Sequence, residues 1–170
     1  MKRFLAALLL AFGLLCPCAD AQQGDALRSA QQGDDLRNMF GLFKAQAEKG
    51  SASAQSILGS FYEKGTGVEK DYSEAVKWYR KAAEQNHPSA QSSLGSCYEK
   101  GQGVEKNYTE AYAWYNLASA TFPETARERD ALEKTMSPQQ VGDAQKRTRE
   151  LRAIIEANEK AKAEKAKAAK

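Results

Sequence analysis

Residues 53–64, SAQSILGSFYEK, return as residues 89–100, SAQSSLGSCYEK. The return continues without insertion: GTGVEKDYSEA at 65–75 becomes GQGVEKNYTEA at 101–111, and Trp78-Tyr79 becomes Trp114-Tyr115. The offset is 36 residues, and 21 of the 36 aligned positions between 51–86 and 87–122 are identical, so the two stretches share one local structure. A fixed period of this length marks a stacked repeat architecture, in which each unit buries its apolar face only against a neighbour.

One period carries two helical stripes. Ala54, Ile57, Leu58 and Phe61 fall at i, i+3, i+4 and i+7, and so do Ala75, Trp78, Tyr79 and Ala82. Between them Gly65 suits a left-handed helix stop, and Asp71 with Glu74 predicts an N-cap completed as a capping box, a device repeated by Asn107 and Glu110. Each unit therefore reads as helix, Gly-rich turn, helix. The aromatics Tyr62, Trp78, Tyr79, Tyr98, Trp114 and Tyr115 follow the helix–helix seam and are assigned to packing.

The pattern A-Q-x-x-L-G-x-x-Y-x-x-G-x-G-V-x-x-D/N-Y-x-x-A-x-x-W-Y-x-x-A resembles the Sel-1-like repeat, a tetratricopeptide-like helix pair. Ala54, Leu58, Gly59, Tyr62, Gly65, Gly67, Val68, Asp71, Ala75, Trp78, Tyr79, Ala82 and Ala83 match one copy. Ala90, Leu94, Gly95, Tyr98, Gly101, Gly103, Val104, Asn107, Ala111, Trp114, Tyr115 and Ala118 match the other. The resemblance implies an all-α, right-handed solenoid with degenerate capping helices at both ends, serving as a scaffold for protein–protein interaction.

The chain opens with Lys2 and Arg3, an apolar run from Phe4 to Leu15 and a small-residue site at Ala19-Asp20-Ala21. Together they read as a cleavable secretory signal, 1–21, cut before Gln22, with the apolar run too short for a permanent membrane anchor. Leu15 and Pro17 stand where a lipidation signal wants a small residue before its cysteine, which argues against an acyl anchor on Cys16 or Cys18. Cleavage would leave Cys97 alone, unable to form an internal disulfide, in the slot that Phe61 fills one period earlier. Some exported proteins with the Sel-1-like repeat carry a cysteine pair in every unit, and a penicillin-binding or β-lactamase activity has been proposed for some; that pairing is missing here.

Residues 22–34 form a polar leader, within a short duplication of AQQGDALR as AQQGDDLR, and are expected to be flexible. Leu42-Phe43 stands one period before Trp78-Tyr79, so 35–50 reads as a worn N-terminal capping helix ahead of the repeats at 51–86 and 87–122. A C-terminal capping helix pair is expected over 123–158: one helix from Pro123 to about Met136, and a second begun by the Ser137-Pro138-Gln139-Gln140 cap with the stripe Val141, Ala144, Thr148, Leu151 and Ile155. The tail, 159–170, contains only Glu, Lys and Ala. Five lysines against two glutamates suit either a solubilising tail or contact with an anionic envelope surface, on a helix expected to protrude and fray.

No catalytic constellation, metal site or cofactor site emerges. His87 is the lone histidine and precedes Pro88 as a helix-start residue, so with one cysteine a zinc site would need carboxylates throughout. The Gly-x-Gly-Val segments lack the strand before and the Gly-Lys-Ser/Thr ending of a phosphate loop. Asn107-Tyr108-Thr109 is formally a glycosylation sequon, explained as a cap by its match to Asp71-Tyr72-Ser73. Removing the signal leaves a net charge of +2, of which the tail carries +3, so the near-neutral body offers no case for nucleic acid. Binding then rests on the faces of the first helices opposite their apolar stripes. Ser56, Ser60 and Glu63, then Ser92, Ser96 and Glu99, flanked by Gln55, Lys64, Gln91 and Lys100, read as a groove for a peptide segment or helix of another protein. The contrasting reading is an envelope enzyme or binding factor acting on peptidoglycan or β-lactams.

Overall fold

A computed structural model describes the backbone of residues 17–168 and the side chains of residues 33–168. The expected signal therefore lies mostly outside the described residues. Seven helices and no strand occur among the described residues: α1 (Pro17–Glu48), α2 (Ala52–Lys64), α3 (Tyr72–Ala83), α4 (Pro88–Lys100), α5 (Tyr108–Ala118), α6 (Thr125–Glu133) and α7 (Pro138–Ala168). The expected all-α solenoid is what forms. Helices α1 to α5 pack each on the next along the chain, and α6 and α7 both pack on α5. Helix α7 also reaches the α3–α4 turn.

Local signals in the sequence set most boundaries. Ser51 caps α2 by accepting from the Ala54 N–H at 3.4 Å, and Asp71 caps α3 by accepting from Ser73 and Glu74 at 2.8 and 3.0 Å. Gly65 and Gly101 end α2 and α4 in the left-handed conformation, φ 74° and 69°, and return their N–H to Phe61 and Cys97. At Ser137 the capping box closes in both directions, with the Ser137 N–H donating to Gln140 Oε1 at 2.9 Å and the Gln140 N–H to Ser137 Oγ at 3.3 Å. The boxes expected at Asp71 and Asn107 stay half made. Their backbone N–H groups donate instead to the carbonyls of Tyr62 and Tyr98 at 2.9 Å, which pins each turn to the helix before it.

Stacking depends on the second glycine of each Gly-x-Gly. Gly67 and Gly103 sit at φ 70° and 73°, and a Cβ on either would collide with a main-chain carbonyl: that of Leu36 for Gly67, that of Tyr72 for Gly103. Leu36 and Tyr72 are themselves one period apart. The same backbone-on-backbone approach joins α1 to the first repeat and α3 to the second, so the C-terminal part of α1 is the second helix of a worn unit, as the period implies. One buried cluster spans the two repeats, while Ala47, Ala54, Leu58 and Trp78 form another where α1, α2 and α3 meet. Tyr79 and Ala83 of α3, Leu94 and Cys97 of α4, Trp114 of α5, and Leu151 and Ile155 of α7 belong to the first. In α7 the expected stripe is buried at Ala144, Thr148, Leu151 and Ile155, with Val141 half-buried.

The leader departs from expectation. Its backbone, 22–34, continues α1 as uninterrupted helix. Four glutamines and two alanines favour helix there, against two glycines and two aspartates, and joining a packed helix removes the nucleation cost that a free polar segment would carry. The tail likewise continues α7 to Ala168, held at its start by Asn158 donating to the Glu84 carbonyl at 3.1 Å and by Lys162 donating to Gln85 at 3.2 Å.

Candidate functional site

Within each repeat a tyrosine of the second helix lies against a glycine of the first. A Cβ on Gly59 would come 2.6 Å from the Tyr79 ring, and one on Gly95 would come 2.8 Å from the Tyr115 ring. With no side chain between them the helices close up, and each tyrosine hydroxyl reaches the carboxylate one turn further along. Tyr79 donates to Glu63 at 2.6 Å and Tyr115 to Glu99 at 2.7 Å. Burial first, and then the neighbouring carboxylate, holds both hydroxyls protonated well above the usual tyrosine range.

Tyr79 forms part of the floor of an open cleft between the first helices of the two repeats, with a volume of about 500 Å³. From α2 come Ser53, Ser56, Ile57, Ser60, Glu63 and Lys64; from α4 and its cap come His87, Ser89 and Ser93. The surface is mostly hydroxyl, with one half-buried apolar side chain, Ile57, and one exposed cation, Lys64. Along α2 it runs from Ser53 to Lys64, about 16 Å at 1.5 Å per residue, a length that takes about five residues of extended chain. His87 caps α4, its Nδ1 accepting from the Ala90 N–H at 3.4 Å, as its place before Pro88 predicts. Burial lowers its pKa below the usual 6.5 and keeps the ring neutral near pH 7.

Of the ten groove residues read from the sequence, Ser60, Glu63 and Lys64 line this cleft, together with Ser56, which is itself buried at 8% exposure. Ser92, Ser96, Glu99 and Lys100 do not; Glu99 instead holds Tyr115 in the second repeat. The reading was wrong for Gln55 and Gln91. Both are buried, at 5% and 1% exposure, and their amides donate to the last carbonyls of the preceding second helix: Gln55 to Ala47 at 3.0 Å, Gln91 to Ala83 at 3.4 Å. Helix C-terminal carbonyls brought into a seam need donors, and a glutamine one period apart supplies them. Gln55 also accepts from Gln85 at 2.7 Å, and Gln85 accepts from Lys162 of α7, so one chain of amides ties α1, α2, the α3–α4 turn and α7. The second wall of the cleft was missed because neighbouring first helices present different sides to a shared groove. Ser89 and Ser93, at i and i+4, are the signal that marks that side.

Glu63 is engaged by Tyr79, and the Cys97 thiol is buried, its pKa pushed up to about 11 by burial and then by Glu63. Among the described residues no three His, Cys, Asp or Glu side chains gather to hold a metal ion, and no helix is long and apolar enough to cross a membrane.

A family model, the Sel1 repeat, matches residues 52–87 and 88–120. No curated protein sequence matches the chain. Among solved structures it is similar to c5321, described as a protective antigen present in uropathogenic Escherichia coli strains displaying an SLR fold, with 32% identity and a TM-score of 0.69 over 85% of this chain and 33% of that one. A Sel1 repeat protein from Oxalobacter formigenes shares 44% identity over 50% of this chain and 35% of that one, with a TM-score of 0.49. The chain thus spans about a third of the length of either protein. Residues 52–120 hold two Sel1 repeats, at the period read from the sequence and stacked through equivalent glycines and glutamines.

Proposed function

We propose that this chain is an exported adaptor that binds a short segment of another protein in the cleft between α2 and α4. The observation that carries the reading is the cleft itself: open, about 500 Å³, floored by Ile57 and Tyr79 and rimmed by hydroxyls and Lys64. Such a surface offers hydrogen bonds to a peptide backbone along a rigid wall, with one apolar contact and one charge to select the sequence. Rigidity supports the reading, because the Gly59–Tyr79–Glu63 contact fixes the floor before any partner arrives and lowers the ordering cost of binding. Sel1 repeats generally mediate protein–protein interaction, which agrees with binding rather than catalysis.

A photo-crosslinking side chain at Ser60 tests the cleft, with one at Lys77 on an exposed face of α3 as control. Expected is capture of a protein from Ser60 that Ser93→Trp, which fills the cleft from its α4 side, abolishes. Equal capture from both positions would remove the assignment. Export rests on the opening Lys2-Arg3, the apolar run and Ala19-Asp20-Ala21. N-terminal sequencing of protein recovered from the envelope fraction should begin at Gln22; an intact Met1 would contradict it.

A further inference from the structure

Among the described residues, no helix covers the N-terminal edge of the stack in the way that α2 and α4 cover the two repeats. Counting back one period, Met39 and Leu42 of α1 hold the places of Ala75 and Trp78 in α3 and of Ala111 and Trp114 in α5. Those four residues are buried, the tryptophans at 8% and 1% exposure. The first helix of the same unit provides the cover, since Trp78 clusters with Ala54 and Leu58 of α2. Among the described residues nothing gives Met39 and Leu42 such cover, and they are 45% and 59% exposed. The leader cannot supply it. Its backbone runs straight into α1 as one uninterrupted helix and so does not turn back over Met39 and Leu42.

At the other end of the chain a complementary surface is free. Ile154 of α7, 44% exposed, is the remaining large hydrophobic left in solvent among the described residues. Ala157 and Ala161, exposed at i+3 and i+7, extend it into a narrow apolar strip. Small residues beside one branched aliphatic are what the first helices present to a second helix elsewhere in the stack, as Ala54, Leu58 and Gly59 do in α2. Charge matches as well. From Gln22 onward, α1 carries four acidic residues against three basic, and α7 carries eight basic against five acidic.

We propose that the vacant first-helix position on α1 is a seat for α7 of a second copy, so that chains join head to tail through Met39 and Leu42 on one side and Ile154, Ala157 and Ala161 on the other. The contact is heterologous, which leaves one seat and one strip unused in every dimer and permits further addition. It continues the stacking interface that the repeats already make within the chain.

Sedimentation velocity across a concentration series of the purified protein is the test, with Leu42→Glu, Ile154→Glu and the double variant alongside. Both residues are exposed, so the variants fold, as circular dichroism verifies. Expected is concentration-dependent association of the wild type that each single variant weakens at least ~10-fold. An equal mixture of the two singles should restore a dimer and nothing larger, because only one live seat and one live strip remain, while the double variant stays monomeric. A wild type monomeric at ~0.5 mM would overturn the proposal. So would association that Leu42→Glu removes and Ile154→Glu leaves intact, since that pattern belongs to a symmetric pairing of two α1 helices or to a different partner.

Discussion

Replacing Gly103 and Gly101 separately by alanine isolates the contact that lets one unit sit on the next. Both glycines hold left-handed backbone, φ 73° and 69°, so each substitution carries the same conformational cost, about 1–2 kcal/mol for an L-residue in that region. Their surroundings differ. A Cβ on Gly101 would lie 3.3 Å from the Lys106 Cβ, which a small shift accommodates, whereas a Cβ on Gly103 would overlap the Tyr72 carbonyl and come 2.8 Å from the Ser73 N–H. Both of the latter belong to backbone, and no rotamer relieves the overlap. The turn must back away from α3, adding the ~1–3 kcal/mol typical of overpacking. Gly101→Ala should therefore cost ~1–2 kcal/mol and Gly103→Ala ~2–5 kcal/mol, a large share of the ~5–15 kcal/mol that a domain possesses. Urea unfolding followed by far-ultraviolet circular dichroism measures both. Equal costs for the two variants would refute the claim that the second glycine sets the spacing between units.

Gln55→Ala should lower stability by ~1–3 kcal/mol, because it strands the Ala47 carbonyl and breaks the link to Gln85, yet leave affinity for a captured partner unchanged in a titration. The Tyr79 and Tyr115 hydroxyls are held protonated above their ordinary value of 10.0, so the unfolded chain releases those protons first and stability should fall as pH rises above about 10. A Tyr79→Phe, Tyr115→Phe double variant should be less stable at pH 7 and show a shallower decline in alkaline denaturation curves. Cys97, buried and with its pKa at about 11, should react with an aromatic disulfide reagent at pH 8 only after denaturant is added; prompt reaction in the native protein would contradict its burial.

The stack was legible because its determinants repeat. A 36-residue offset that returns leucine, glycine and tryptophan to the same places can be satisfied only by equivalent helices with equivalent neighbours, and the caps at Gly65, Gly101 and Ser137 are local chemistry that needs no tertiary context. The cleft was half legible. Ser56, Ser60, Glu63 and Lys64 follow from the helix that carries them, while Ser89 and Ser93 depend on how α4 is rotated beside α2, which no single helix records. Gln55 and Gln91 were misread as groove residues because polarity on a helix surface ordinarily signals solvent. Here the carbonyls at the ends of α1 and α3 are the partners, and they become neighbours only after stacking. The half-made boxes at Asp71 and Asn107 have the same origin, since the carbonyls of Tyr62 and Tyr98 claim the N–H groups that Glu74 and Glu110 were expected to take.

Hydrogen–deuterium exchange of the protein with and without its crosslink-identified partner segment tests the central claim most directly. The account predicts added protection in α2 from Ser53 to Lys64 and in the first turns of α4 up to Ser93, with α6 unchanged. Protection confined to α1 or α7, with the α2 and α4 amides exchanging as before, would place the partner elsewhere and contradict the cleft as the binding surface.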